Sequence, residues 1–190
     1  MAVLEILEAP DARLTTVCPP VERIDAPLLR MLDDMLETMY AAPGIGLAAP
    51  QVGVLTRAFV ADVGEEGNRS PIFLINPELV WRSETSNLAE EGCLSLPGIG
   101  VDVERALHAR VRGVDVRGES LLLEASGLEA RVLQHEIDHL DGVLILDRTE
   151  RDQRKGALRA LREGTTYSPE PEPDPEGQPE ADAQPERDDG

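Results

Sequence analysis

Apolar residues recur at helical spacing at Leu28, Leu29, Leu32, Met35, Leu36 and Met39. With Asp25 as N-cap and Pro27 in the first turn, they predict an amphipathic helix over about 26–41, stopped by Pro43-Gly44. Before it, residues 3–7 alternate loosely, as a short strand or an extended arm would. Pro10, Pro19 and Pro20 make the intervening stretch a loop. After the helix comes GIGLAAPQVG (44–53), a tight uncharged loop rich in glycine. Residues 57–63 and 72–75 are rich in β-formers, joined by a polar connection over 64–70, and 79–81 reads as a further strand after Asn76-Pro77. Residues 101–103, 109–116 and 121–124 read as a β-meander, with Arg117-Gly118-Glu119 in a turn. Ser126 is the candidate N-cap of a second helix over about 127–140, with Glu129 completing a capping box and Gly142 as C′ residue. The short apolar run 143–146 predicts a last strand or extended segment. Residues 150–162 predict a charged helix whose Leu158 and Leu161 face the body. The expected class is α+β: antiparallel β-sheets packed around the helix over 127–140, with one helix N-terminal to it and one C-terminal.

Composition adds three points. The chain has 190 residues, 41% hydrophobic and only 3% aromatic, so one domain with a core of Leu, Val, Ile and Ala is expected. No stretch approaches the roughly 18 apolar residues of a membrane span. MAVLEILEAP lacks the basic start of a signal peptide, so the cytoplasm is the expected location and no membrane partner is expected. The formal charge is -19; residues 168–190 hold nine acids against one arginine, or -8, which leaves -11 for residues 1–167. An acidic body argues against direct, sequence-specific nucleic-acid binding, while docking to a nucleoprotein through a local basic patch stays open. The division expected is a catalytic domain over 1–167 and a disordered, acidic, proline-rich tail over 168–190.

The second helix carries QHEIDHLDG, with His135 and His139 four residues apart and Glu136 beside the first. Positions i and i+4 share a helix face, so both imidazoles can reach one metal ion and Glu136 can handle protons. A catalytic site of this kind wants three protein ligands and an open position. His108, the remaining histidine, falls in an exposed strand position. One metalloprotease pattern continues from HExxH through HxxG to a third histidine, but that position is Ile145. Another takes a downstream glutamate, for which Glu150 or Glu163 could serve without local support. Cys93 in EEGCLSLPG is the best remaining donor, giving a tetrahedral S/N₂ set suited to Zn²⁺ or Fe²⁺. Cys18, beside Pro19-Pro20, reads as an ordinary thiol. Gln51, polar in an apolar stretch, needs a partner that is either a core carbonyl or a ligand.

GIGLAAPQVG, EGCLSLP and QHEIDHLDG resemble, in order, the three signature motifs of the peptide deformylase family, and the resemblance extends over about 3–162. It implies metal-dependent hydrolysis of the N-formyl group from N-formylmethionyl nascent polypeptides at the ribosome, releasing formate. It implies Cys93, His135 and His139 as ligands of one divalent ion, typically Fe²⁺, with Zn²⁺, Ni²⁺ or Co²⁺ able to replace it. Glu136 would take a proton from the attacking water and return it to the leaving amine. The Gln51 amide and the Leu94 N–H would be the oxyanion donors. A methionine side chain needs an apolar pocket, for which helix spacing nominates Leu128 and Val132 beside His135, together with Ile45, with an ordinary core role the equal alternative for Leu128. Gly46 would pair with the substrate backbone as an added strand, and Arg131 would sit at the pocket rim. Gly98-Ile99-Gly100 is small and uncharged where many relatives carry a longer polar side chain, which leaves open what contacts the peptide beyond methionine. The competing enzyme is an HExxH metalloendopeptidase; the non-enzymatic alternative is a metal-stabilised binding module.

Overall fold

The computed structural model describes residues 2–64 and 68–169. The first helix, α1 (Ala26–Ala41), starts where Asp25 accepts the Leu28 N–H at 3.1 Å, a side-chain cap for one of the four orphan donors. Its buried stripe is Leu32, Met35 and Met39. Each such side chain, fully buried, contributes roughly 1.5–3 kcal/mol of apolar transfer.

The strands are β1 (Gly46–Ala48), β2 (Ala58–Ala61), β3 (Ile72–Arg82), β4 (Ser86–Cys93), β5 (Leu96–Ala106), β6 (His108–Val114) and β7 (Ser120–Ser126). They form two antiparallel sheets, one of five strands in the order β1-β2-β3-β6-β7 and one of two, β4-β5. Two further helices follow, α2 (Gly127–Leu140) and α3 (Arg151–Glu163).

The period of two along the strands explains how the layers assemble. Leu47, Ala58, Val60 and Ile75 point to one face of the large sheet and pack with α1. Ala48, Phe59, Ala61 and Leu74 point to the other and pack with Ala130, Leu133, Ile137 and Leu140 of α2. All four residues of β2 are buried as a result. A separate cluster joins Leu96, Ile99, Val101 and Val103 of β5 to Ala157 and Ala160 of α3. In this way α2 contacts both the large sheet and the β5 strand of the hairpin, and the three sequence motifs meet there.

Several sequence expectations need correction. Residues 101–103 do not form a meander with the next two strands: β5 pairs with β4, and its Val101 and Val103 belong to the core under α3. Alternation identifies a strand but not its neighbour. Residues 72–75 and 79–81 are one strand, β3. Asn76 takes φ 51 inside it, and its amide exchanges hydrogen bonds with the Val21 backbone (2.7 and 2.9 Å). Ser126 occupies the N-cap position of α2, but its hydroxyl bonds His108 Nδ1 at 2.9 Å and the capping box does not form. The 143–146 run turns into a 3₁₀ segment, Ile145–Asp147. On α3, Leu161 packs on the core whereas Leu158 is exposed; the buried positions are Ala157 and Ala160. Residues 3–7 are an extended arm, with the Leu7 N–H donated to the Gln51 carbonyl at 2.7 Å. The expected disorder of the tail concerns residues that, from 170 onward, lie outside those described, as do residues 65–67 of the polar connection.

Candidate metal and active site

On α2, His135 and His139 stack one turn apart, their rings 4.9 Å between centroids and nearly perpendicular. Cys93 ends β4, at the tight turn of the hairpin. Its Sγ lies 3.3 Å from His139 Nε2. The donor atoms of Cys93, His135 and His139 all lie within 4.8 Å of one another, close to the spacing that bonds of about 2.0–2.3 Å to one ion require. A soft thiolate with two imidazoles fits a divalent transition metal. Burial, with the neighbouring His135 adding to it, holds His139 well below the usual histidine range, so its ring is neutral, the form that binds a metal. Glu150, Glu163 and His108 are not part of this group.

Gln51 stands in a 3₁₀ turn, Ala49–Val52, directly after β1. Its carbonyl oxygen accepts the Ala48 N–H at 2.9 Å, which orients the amide. The NH₂ group then points at Ser95 Oγ (3.2 Å) and Cys93 Sγ (3.6 Å). Neither partner is a core carbonyl, and the donor faces the donor cluster.

Glu136 is 3% exposed and its Oε2 has no hydrogen-bond partner among the described residues. The other oxygen, Oε1, sits where a β-carbon on Gly46 would be. Burial pushes the carboxyl up to about 7, against the lowering effect of His135. That is the range in which a carboxyl both accepts and returns protons at neutral pH.

A buried ion network, absent from the sequence reading, holds these pieces together. Glu91 accepts from His135 Nδ1 (2.9 Å), from Arg105 Nε and Nη2 (2.9 and 3.0 Å) and from Arg131 (2.7 Å). Burial opposes its ionisation, but the hydrogen bonds from His135 and Arg105 outweigh that and bring it down to about 2. For His135 burial likewise opposes the charge, and the bonds to Cys93 and Glu91 overcome it. Arg105 also bonds Asp138 of α2, which in turn takes two bonds from Arg148. A carboxylate on the free nitrogen of a ligating histidine fixes its tautomer and direction. The available signal was Glu91, two residues before Cys93 on one strand. Arg105 and Asp138 gave none, because their partners are remote in sequence.

The donor group opens into a cleft of about 710 Å³ whose lining includes Gln51, Leu94, Val132 and Glu136. Ile45 (43% exposed) and Leu128 (55% exposed) stand at its mouth, so Leu128 is not a core residue. Val132 is buried beside His135. Gly46 borders the cleft on β1, the edge strand of the large sheet. Arg131 reaches the cleft wall but its guanidinium is spent on Glu91, Val103 and Asn87. Missing from the sequence reading is a third wall, Thr166–Ser168.

A sulfur and two imidazoles beside a buried, unpaired glutamate, at the floor of an apolar-walled cleft, define a metal-dependent hydrolase. The family profile for polypeptide deformylase matches residues 3–155. The peptide deformylase of Alkalilimnicola ehrlichii is 52% identical over 163 residues, 86% of this chain and 91% of that protein. The peptide deformylase of Phenylobacterium zucineum is 45% identical over 164 residues, 86% of this chain and 97% of that one. Among solved structures, peptide deformylase from Ehrlichia chaffeensis in complex with actinonin superposes with a TM-score of 0.81 at 38% identity, covering 86% of this chain and 98% of that one. The enzyme from Legionella pneumophila gives 0.80 at 41% identity, covering 86% and 95%. The chain belongs to the polypeptide deformylase family. Deformylation of nascent peptides is the known function of this family of metalloenzymes, and the endopeptidase and binding-module readings lose their support.

Proposed function

We propose that Cys93, His135 and His139 hold one divalent metal ion, Fe²⁺ by family resemblance and Zn²⁺, Ni²⁺ or Co²⁺ as replacements. In this reading α2 is the HExxH helix round which the fold is organised. The bound ion would supply a Lewis acid and lower the pKa of a coordinated water. The protein residues do the rest. Glu136 accepts a proton at its unpaired oxygen and returns it to the amine that leaves when the formyl C–N bond breaks. The Gln51 NH₂ and the Leu94 N–H would, by family resemblance, donate to the formyl oxygen as negative charge develops on it. Ile45, Leu128 and Val132 offer an apolar seat for the methionine side chain. Gly46, on a strand edge, offers backbone groups to an extended peptide.

The observation that carries this reading is the buried, partnerless Glu136 oxygen beside three convergent donors. Formate release from a formyl-methionyl peptide by Fe²⁺- or Ni²⁺-loaded protein tests it; cleavage of an unblocked internal peptide bond instead would favour an endopeptidase. We further place the enzyme in the cytoplasm, acting on chains that emerge from the ribosome. No helix among the described residues is long and apolar enough to cross a membrane.

A further inference from the structure

The three donors belong to two pieces of the fold: Cys93 to the β4–β5 hairpin, His135 and His139 to α2. A two-stranded hairpin is marginal on its own, so whatever holds it to α2 sets the spacing of the donors. Apolar packing does not join the two directly. Leu96, Ile99, Val101 and Val103 of the hairpin pack with α3, while Ala130, Leu133, Ile137 and Leu140 of α2 pack with the large sheet. Among the described residues, no hydrophobic cluster contains side chains of both.

The seam between them is polar instead. Arg131, Gln134, His135 and Asp138 stand at i, i+3, i+4 and i+7 on one face of α2, and each bonds to the hairpin. Gln134 exchanges two hydrogen bonds with the Ala106 backbone (3.2 and 3.0 Å), His135 donates to Glu91, and Asp138 accepts from Arg105. Arg131 alone of the four reaches both strands. It donates to Asn87 and Glu91 of β4 and to the Val103 carbonyl of β5, in four bonds of 2.7–2.9 Å.

An arginine lining a cleft that seats an apolar side chain calls for a reason. Its side chain is 12% exposed and its guanidinium is turned into the seam, where it completes the shell of Glu91. Oε1 of that carboxylate takes Arg131 Nη1 (2.7 Å) and Arg105 Nε (2.9 Å); Oε2 takes Arg105 Nη2 (3.0 Å) and His135 Nδ1 (2.9 Å). Charge-assisted forks of this kind fix direction as well as distance. Without Arg131, Oε1 loses one of its two donors and the carboxylate can pivot on Arg105. That pivot shifts the bond that aims the His135 ring.

We propose that Arg131 is a positioning residue for the metal site: it locks the hairpin that carries Cys93 to α2 and, through Glu91, holds His135 on the point where the three donors converge. The inference rests on Cys93, His135 and His139 holding the metal. It gives a task to a cleft residue that touches no donor itself.

The test follows loss of Co²⁺ to excess chelator from chains loaded with one equivalent, read by the thiolate-to-cobalt absorption. Arg131→Met keeps the stem and removes the donors. It should retain the circular dichroism of the natural chain yet release Co²⁺ about 10-fold faster, the low end for residues behind a ligand. KM for formyl-Met-Ala-Ala should stay within about twofold while kcat falls, because the stem that lines the cleft is kept. In a Glu91→Gln background the same substitution should add less than about twofold, since groups acting through one another are not additive. Arg131→Lys, which keeps the charge but not the fork, should release Co²⁺ about threefold faster, and it carries the test if Arg131→Met does not fold. An unchanged release rate in a folded variant, or a full 10-fold effect persisting beside Glu91→Gln, overturns the proposal. Failure of the natural chain to bind Co²⁺ through sulfur would instead strike at the metal-site reading.

Discussion

Gly46 and Glu136 are in direct contact: the glutamate carboxylate occupies the volume that a β-carbon at position 46 would take. The backbone of β1 is thereby pressed onto the buried glutamate that adjoins His135 in sequence, and the glycine is required by close approach rather than by its backbone angles. Gly46→Ala should fold, since β1 is an edge strand, but must push Glu136 out of place. Formate release is expected to fall by about 10²–10⁴, the scale of a lost general acid–base, with melting temperature little changed.

Glu91 is the junction of the buried network, so its removal should be felt in both stability and metal affinity. Glu91→Ala leaves Arg105 buried without its bidentate partner and is expected to cost about 3–5 kcal/mol by denaturant unfolding. Glu91→Gln keeps the shape and should fold, yet weaken metal binding about 10–100-fold in a chelator competition, because His135 loses its orienting carboxylate.

Replacing Cys93 by Ala should abolish stoichiometric metal binding while leaving the circular dichroism intact, since the residue is only half-buried. Full binding by the variant would exclude thiolate ligation. Loaded with Fe²⁺, the natural chain should lose activity in air as metal and thiolate oxidise, whereas a zinc- or nickel-loaded sample should hold its activity.

Away from the cleft, Asp62 ties down the segment after β2. It accepts the Tyr40 hydroxyl and the N–H groups of Gly64 and Ser70. Burial opposes its charge, but these bonds prevail and hold its pKa below the ordinary 3.8. Burial, followed by the same bond, raises Tyr40 to about 12. A depressed folded pKa means the stabilisation is complete well above pH 3.8 and is lost as pH falls through the folded value. Asp62→Asn should therefore lower the unfolding free energy obtained from urea denaturation at pH 7 by about 1 kcal/mol, and the gap from the natural chain should narrow below pH 4.

Much of this arrangement was legible in the chain. The spacing of Leu32, Met35 and Met39 and the Asp25 cap locate α1 at its observed bounds, and i, i+4 geometry alone pairs His135 with His139. Local rules reach that far and stop. Whether residues 101–103 pair forward with β6 or backward with β4 depends on which core Val101 and Val103 enter, and alternation is the same in both cases. Ser126 had the sequence of a capping box, but His108 from the neighbouring strand offered its hydroxyl another partner. The Glu91–Arg105–Asp138 network and the Ile99–Tyr167 bridge join residues 14 to 68 positions apart. Such contacts carry no local periodic signal.

The central claim is that Glu136 moves the proton at a site built by Cys93, His135 and His139. The most direct test is formate release from formyl-Met-Ala-Ala by Glu136→Ala protein loaded with one equivalent of Ni²⁺, set beside the natural chain loaded equally. The account predicts equal metal content, rapid release by the natural chain, and release at least about 10²-fold slower by the variant. Equal rates from the two proteins would contradict it.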